Sequence, residues 1–146
     1  MTRAAITYAE VSERLDHPLA RVWEQIAMFG GLERWADGVS ECSVEGEGIG
    51  AVRTVVRNGN RVRERLETID PAARMIRYQI LPPHALPAEN VHGNILLRAL
   101  TDEATEIVWR SDATDFRAEP EWLGARISTF YRDSIGGLQR LLDEAP

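Results

Sequence analysis

The sequence contains no lysine: all 17 of its basic residues are arginines. An arginine side chain stays protonated in proteins, whereas a Schiff base or a basic side-chain catalyst requires an amine that can lose its proton. The absence of lysine therefore excludes covalent catalysis through a lysine Schiff base and general-base catalysis by a lysine.

Cysteine and histidine are scarce as well. The one cysteine, Cys42, excludes an intrachain disulfide, and its strand-like setting SECSVE favours a packed, unreactive thiol. The three histidines (His17, His84 and His92) are scattered along the sequence, so no spacing typical of a metal site occurs. We expect neither a metal nor another cofactor.

Long apolar runs are also missing. No stretch approaches the roughly 18 residues of a transmembrane helix, and residues 1–16 lack the apolar core of a signal peptide. The net charge is −6 and the only basic cluster lies in one strand, which argues against a nucleic-acid partner. We expect a cytoplasmic protein without a membrane span that is a monomer or a weak homodimer.

The length and the apolar content of the chain favour a folded domain. With 146 residues, 44% of them apolar, residues 1–146 suit one domain that can bury a core and enclose a cavity.

Hydrophobic periodicity predicts a strand, two short helices, six further strands and a long helix. The first strand covers 7–15, the first helix ends at Gly30-Gly31, and the second helix covers 32–37. The further strands are predicted at 39–46, 50–57, 61–69, 74–81, 90–100 and 105–115. Six consecutive strands without crossover helices imply an antiparallel meander, and the final helix, 120–143, must bury its apolar stripe on the concave face. The predicted class is α+β.

The Asn58-Gly59 pair predicts which charges of the adjoining strands face inward. As a two-residue type I′ turn, it places Arg53 opposite Glu64 on one face of the hairpin. A loop at Gly59-Asn60 instead would change the directly opposed partners but not the two faces. The other face carries Arg61, Arg63 and Arg65, which cannot all be buried and must therefore meet water. Arg53 and Glu64 then point inward as a cross-strand pair.

The same alternation predicts an apolar inner surface with few polar groups, as in a ligand cavity. On this inner surface, Gly93 and Gly137 are expected to leave open space where a filled core would carry side chains.

The order of seven segments resembles that of a known superfamily. PLARVWEQIAMFGGLERW, GEGIGAVR, RERLETID, MIRYQI, NVHGNILL, TEIVW and GGLQRLL occur in sequence between Tyr8 and Leu142. In this they are similar to the START-like SRPBCC superfamily, with the polyketide cyclase/dehydrase-like branch nearest and the plant abscisic-acid receptors more distant. The resemblance implies a helix-grip fold, in which a seven-stranded antiparallel sheet wraps around a long C-terminal helix and encloses an apolar pocket.

The resemblance also implies site residues, with two departures. Positions matching Val55, Glu64, Tyr78, Val91 and Asp133 face the pocket in the receptors, and the HAL at 84–86 resembles their latch at the pocket mouth. The receptors' pocket lysine falls near a serine here, and the tight Asn-Gly turn replaces their gate loop. Hormone-gated phosphatase inhibition is therefore not expected.

Alternation and resemblance together predict a set of pocket residues. The expected ligand-binding residues are Trp35, Arg53, Val55, Arg57, Val62, Glu64, Leu66, Tyr78, Ile80, His84, Leu86, Val91, Gly93, Trp109, Ser111, Phe130, Asp133 and Gly137. The candidates for acid–base chemistry are Tyr78, His84 and Asp133. Other roles stay open at this point: Arg53–Glu64 as a structural ion pair, Tyr78 and Trp109 as core residues, Arg57 and His84 as solvent-facing residues.

The sequence predicts binding of a hydrophobic, ring-containing small molecule. One alternative is an enzyme, a cyclase or dehydratase acting on a polyketide-like or aromatic substrate, and another is a protein-interaction module. Cyclisation and dehydration need a group that exchanges protons near neutral pH, and the inner face offers few of them. Binding is therefore the first hypothesis.

Overall fold

The computed structural model describes residues 4–145 and contains one continuous seven-stranded sheet and a long C-terminal helix. Its elements are β1 (Ile6–Leu15), α1 (Leu19–Ala27), a single 3-10 turn (Leu32–Arg34), β2 (Val39–Glu45), β3 (Val52–Arg57), β4 (Asn60–Asp70), β5 (Met75–Ile80), β6 (Glu89–Thr101), β7 (Ala104–Thr114) and α2 (Pro120–Glu144). The predicted α+β helix-grip fold is confirmed. The second predicted short helix is reduced to the 3-10 turn.

The strands form an antiparallel sheet in the order β1-β7-β6-β5-β4-β3-β2. From β2 to β7 each strand pairs with the next one along the chain, as the meander prediction requires. The first strand pairs with the last, so β1 and β2 are the two edges of the sheet.

The hairpin between β3 and β4 has the predicted register. Asn58 and Gly59 have φ angles of 49° and 82°, and a type I′ turn requires positive φ at both central positions. Val55 lies opposite Val62 and Arg53 lies opposite Glu64. The inward orientation of the charged pair follows from this register.

Two glycines allow α2 to approach its neighbours closely. A Cβ added to Gly124 would lie 2.0 Å from the carbonyl oxygen of Tyr8 on β1. A Cβ added to Gly137 would lie 2.1 Å from the carbonyl oxygen of Trp35, next to the 3-10 turn. The prediction that Gly137 leaves open space is therefore wrong: backbone fills that position.

The helix covers only part of the concave face. Leu123, Ile135, Leu138 and Leu142 of α2 are buried in the core, while Phe130 is only partly buried. At this less buried stretch of α2, a cavity separates the helix from the β3–β4 hairpin. Within residues 4–145, no helix is long and apolar enough to cross a membrane.

Candidate functional site

A cavity of about 220 Å³ lies between the inner face of β3–β5, the loop 81–88 and α2. Most of its lining is apolar, and the few polar groups come from the β3–β4 hairpin, β5 and the loop. The lining residues are Leu32, Arg53, Val55, Arg57, Asn58, Asn60, Val62, Glu64, Tyr78, Ile80, His84, Ala85, Leu86, Trp109, Ile127 and Phe130.

The Arg53–Glu64 pair forms one wall of this cavity, which confirms the predicted cross-strand pair. Arg53 Nε donates to Glu64 Oε1 at 2.7 Å, and Arg53 Nη1 donates to the carbonyl oxygen of Phe29 at 2.8 Å. The guanidinium also lies 4.1 Å from the ring centroid of Phe29 and 4.7 Å from that of Tyr78. Arg53 is thus held on all sides by protein groups.

One of the two carboxylate oxygens of Glu64 is available to accept a hydrogen bond from a ligand. Its side chain is 13% exposed, against 4% for Arg53, and within residues 4–145 no hydrogen bond reaches Glu64 Oε2. A carboxylate oxygen in a cavity wall accepts hydrogen bonds but cannot donate them while it is ionised. The pair therefore presents an acceptor to an occupant of the cavity.

Tyr78 is a neutral hydrogen-bonding group between the cavity and the core. Its hydroxyl accepts a hydrogen bond from Trp109 Nε1 at 3.0 Å, and burial raises the pKa of Tyr78 well above its usual value, with nearby Glu64 acting in the same direction. The phenol therefore keeps its proton at every physiological pH. It can donate a hydrogen bond but cannot act as a base.

The ring of Tyr78 also explains Gly93. A Cβ added to Gly93 would lie 2.2 Å from Tyr78 Cζ. The prediction that Gly93 leaves open space is therefore wrong, because the tyrosine ring already occupies that space.

Arg57 and His84 lie at the mouth. The guanidinium of Arg57 stacks 4.1 Å from the ring centroid of Phe130, and its Nε donates to the carbonyl oxygen of Asp37 at 3.1 Å. The Asp37 carboxylate is 3.7 Å from Arg57 Nη2, in a half-exposed pair. His84 Nδ1 is buried without a hydrogen-bond partner. Protein atoms cover this nitrogen, so the residue lines the cavity through other atoms of its side chain or backbone.

Seven of the predicted ligand-binding residues lie outside the cavity wall. Leu66 and Trp35 are packed in the main core, and Val91 belongs to a separate small cluster with Ala88 and Ala113. The Ser111 hydroxyl hydrogen-bonds to Tyr8 and to the His92 carbonyl. The other three are the two glycines of the close contacts and Asp133; the full set is Trp35, Leu66, Val91, Gly93, Ser111, Asp133 and Gly137.

One of the three acid–base candidates, Asp133, lies away from the cavity wall. It is exposed and borders a separate polar groove between α2 and residues 33–38. Tyr78 and His84 do share the cavity wall. Because Tyr78 keeps its proton, His84 is the one member of the three candidates that is placed to exchange a proton with an occupant.

Five residues that line the cavity were not predicted from the sequence: Leu32, Asn58, Asn60, Ala85 and Ile127. Ile127 lies one helical turn before Phe130 on the predicted apolar stripe, so its position was available from the helical period. Asn58 lies in the hairpin turn and Asn60 directly follows it, and alternation gives no information on how a hairpin tip bends toward a helix. Within residues 4–145, no cluster of histidine, cysteine and acidic side chains could hold a metal ion.

Comparison with known proteins identifies the family of this chain. None of the curated proteins matches the sequence. Among solved structures, XoxI from Bacillus cereus is 21% identical with a TM-score of 0.82, over 97% of each chain. Ara h 8.0201 is 16% identical with a TM-score of 0.76, over 97% of this chain and 100% of that one.

An aromatase/cyclase is also similar in structure. The Zhui aromatase/cyclase from Streptomyces sp. R1128 is 22% identical with a TM-score of 0.72, over 97% of this chain and 93% of that one. At these identities the likenesses establish the fold alone.

The family described as polyketide cyclase/dehydrase and lipid transport matches residues 8–143, nearly the whole chain. The chain therefore belongs to the polyketide cyclase/dehydrase and lipid transport family.

Proposed function

We propose that this protein binds a hydrophobic, ring-containing small molecule in the cavity between the β3–β4 hairpin and α2. The observation that carries the proposal is a mostly apolar cavity whose polar groups include a carboxylate oxygen, Glu64 Oε2, that accepts no hydrogen bond within residues 4–145. Small-molecule sites in proteins have this composition: apolar walls and a few placed polar groups that orient the ligand. Aromatic rings of Tyr78, Trp109 and Phe130 in the wall favour a flat ring over a flexible chain.

A cavity-filling substitution tests this proposal. Val62 lines the cavity, while Val56 lies on the opposite face of the same hairpin, opposite Arg61. Val62→Trp should fill part of the cavity and weaken binding of the probe 2-naphthol, measured by isothermal titration calorimetry, by about tenfold or more. Val56→Trp is the matched control and should bind like the unmodified protein. Equal affinity of a folded Val62→Trp protein would place binding elsewhere.

Catalysis is the second candidate function, and His84 is the observation in its favour. Its imidazole belongs to a residue of the cavity wall, and general acid–base catalysis requires a proton-exchanging side chain beside the bound molecule. Conversion of a bound molecule that slows at least about tenfold in His84→Ala, with affinity preserved, would establish a catalytic role. A molecule recovered unchanged after prolonged incubation would leave binding as the function.

A further inference from the structure

We propose that the occupant of this cavity is a one- or two-ring aromatic acid that carries a hydroxyl group, with the hydroxyl on Glu64 and the carboxylate at Arg57. This inference rests on the proposed binding function and names its ligand class. Three observations carry it: the cavity volume, the sign and type of the polar groups, and their positions along the hairpin.

The volume limits the size of the ligand. An apolar protein cavity of about 150 Å³ accepts one benzene molecule, and this cavity measures about 220 Å³. That difference leaves room for substituents or for one more fused ring. We expect a molecule with three or more fused rings to exceed this space.

The polar groups differ in type between the two parts of the cavity. Ionised Glu64 only accepts hydrogen bonds, so it selects a donor such as a phenolic hydroxyl. Arg57 only donates, and guanidinium groups match the two oxygens of a carboxylate. Stacking on Phe130 and the hydrogen bond to the Asp37 carbonyl hold the Arg57 guanidinium in place, while Nη1 forms no hydrogen bond within residues 4–145.

The net charge of the lining also favours an acid. Arg53 and Glu64 neutralise each other in the wall, which leaves Arg57 as the remaining charge of the lining itself. Asp37 sits beside Arg57 but is half-exposed, and its carboxylate stays beyond hydrogen-bond distance at 3.7 Å.

The spacing of these groups fits two rings. Glu64 pairs with Arg53, and Arg57 lies four residues further along the same strand, which is about 13 Å at the usual rise per residue. The Arg57 side chain reaches back from the tip over the ring of Phe130. We expect a two-ring molecule with a hydroxyl at one end and a carboxylate at the other to reach both groups.

A series of related probes tests the inference on the unmodified protein. The probes are 6-hydroxy-2-naphthoate, 2-naphthoate, 2-naphthol and naphthalene, measured by calorimetry. Each polar group contributes a hydrogen bond to a charged partner, so 6-hydroxy-2-naphthoate should bind about tenfold or more tightly than either singly substituted probe. A three-ring analogue, anthracene-2-carboxylate, should bind more weakly than 2-naphthoate.

Two substitutions test which protein side chain binds the carboxylate of the ligand and which binds its hydroxyl. Arg57→Gln should remove the advantage of the carboxylate, so that 6-hydroxy-2-naphthoate no longer binds more tightly than 2-naphthol in this variant. Arg61→Gln on the outer face is the matched control and should keep the advantage. Glu64→Gln should remove the advantage of the hydroxyl; if this variant does not fold, the comparison of 6-hydroxy-2-naphthoate with 2-naphthoate on the unmodified protein decides the point.

The possible results separate the two proposals. If naphthalene binds as tightly as the substituted probes, the ligand class inferred here is wrong and the cavity binds apolar rings without polar selection. If the three-ring acid binds most tightly, the size limit is wrong. If none of the probes binds, both the inference and the proposed binding function fail.

Discussion

Replacing Glu64 with leucine should lower the free energy of unfolding by about 3–5 kcal/mol, because it leaves the buried Arg53 guanidinium without its counter-ion. Arginine cannot lose its proton, so the charge persists with the Phe29 carbonyl as its one remaining hydrogen-bond partner among residues 4–145. Arg53→Met should have a smaller effect. The carboxylate left behind is the more exposed member of the pair, and water in the cavity can donate a hydrogen bond to it.

The double variant Arg53→Met/Glu64→Leu should recover much of the loss, since it removes both charges together. Urea unfolding of the single and double variants gives the coupling energy directly. Arg117–Glu89 is the matched control: its nitrogen–oxygen distance is 2.6 Å, but both side chains are more than half exposed. Arg117→Met should therefore change stability by less than about 1 kcal/mol. Additive effects of the two cavity substitutions would mean that the pair is not coupled.

Alkaline pH should destabilise this protein because its buried tyrosines lose their phenolic protons more readily in the unfolded chain. Burial raises the pKa of Tyr78 and of Tyr131 well above the usual value near 10, and burial also raises the pKa of Tyr8. Above pH 10 the unfolded chain releases phenolic protons that the folded chain retains, so the unfolded state binds fewer protons and stability falls as pH rises. The contribution of these tyrosines to the free energy of unfolding is fully present below about pH 10. Above that pH, each tyrosine whose pKa is raised in the folded protein lowers the free energy of unfolding by about 1.4 kcal/mol per pH unit.

The absence of lysine makes this experiment unusually direct, because arginine does not titrate in the same range. The free energy of unfolding, measured in urea between pH 9 and pH 12 in a Cys42→Ala background, should decrease with a slope that reports the number of protected phenols. Tyr78→Phe should reduce that slope by about 1.4 kcal/mol per pH unit, whatever its effect on stability at neutral pH. An unchanged slope in this variant would show that Tyr78 ionises freely in the folded protein.

Most of the fold follows from short-range patterns in the sequence. The Asn-Gly turn fixes a register, the register fixes which face each side chain takes, and Arg53 and Glu64 meet where that reasoning places them. The alternation in β5 and β7 likewise brings Tyr78 and Trp109 to one side of the sheet, where they form a hydrogen bond. The resemblance to the superfamily adds the wrapping of the sheet around α2.

The cavity boundary could not be predicted in the same way. Alternation states which face a residue takes but not what lies above it, so Val91 faces inward yet packs in a different cluster. Glycine is ambiguous for a related reason: a missing side chain marks either open space or a close approach by another group. At Gly93 and Gly137 the approach is by the Tyr78 ring and by the Trp35 backbone.

The mouth of the cavity depends on contacts between distant elements. His84 and Asp133 were equal candidates for acid–base chemistry, but only the loop residue reaches the cavity wall, because Asp133 lies on the exposed side of α2. Arg57 is held over the cavity by Phe130 from the helix and by the Asp37 carbonyl before β2. Such contacts join parts of the chain that no local pattern relates.

Native mass spectrometry of the protein freshly isolated from its source cells tests the central claim most directly. The account predicts one small molecule bound per chain, released on unfolding, with a mass and spectrum that indicate one or two aromatic rings. The complex should be absent in Val62→Trp and present in Val56→Trp. Unliganded protein as the sole species, under conditions that preserve a complex with added 2-naphthol in a parallel sample, would contradict the claim that the cavity holds a small-molecule ligand in the cell.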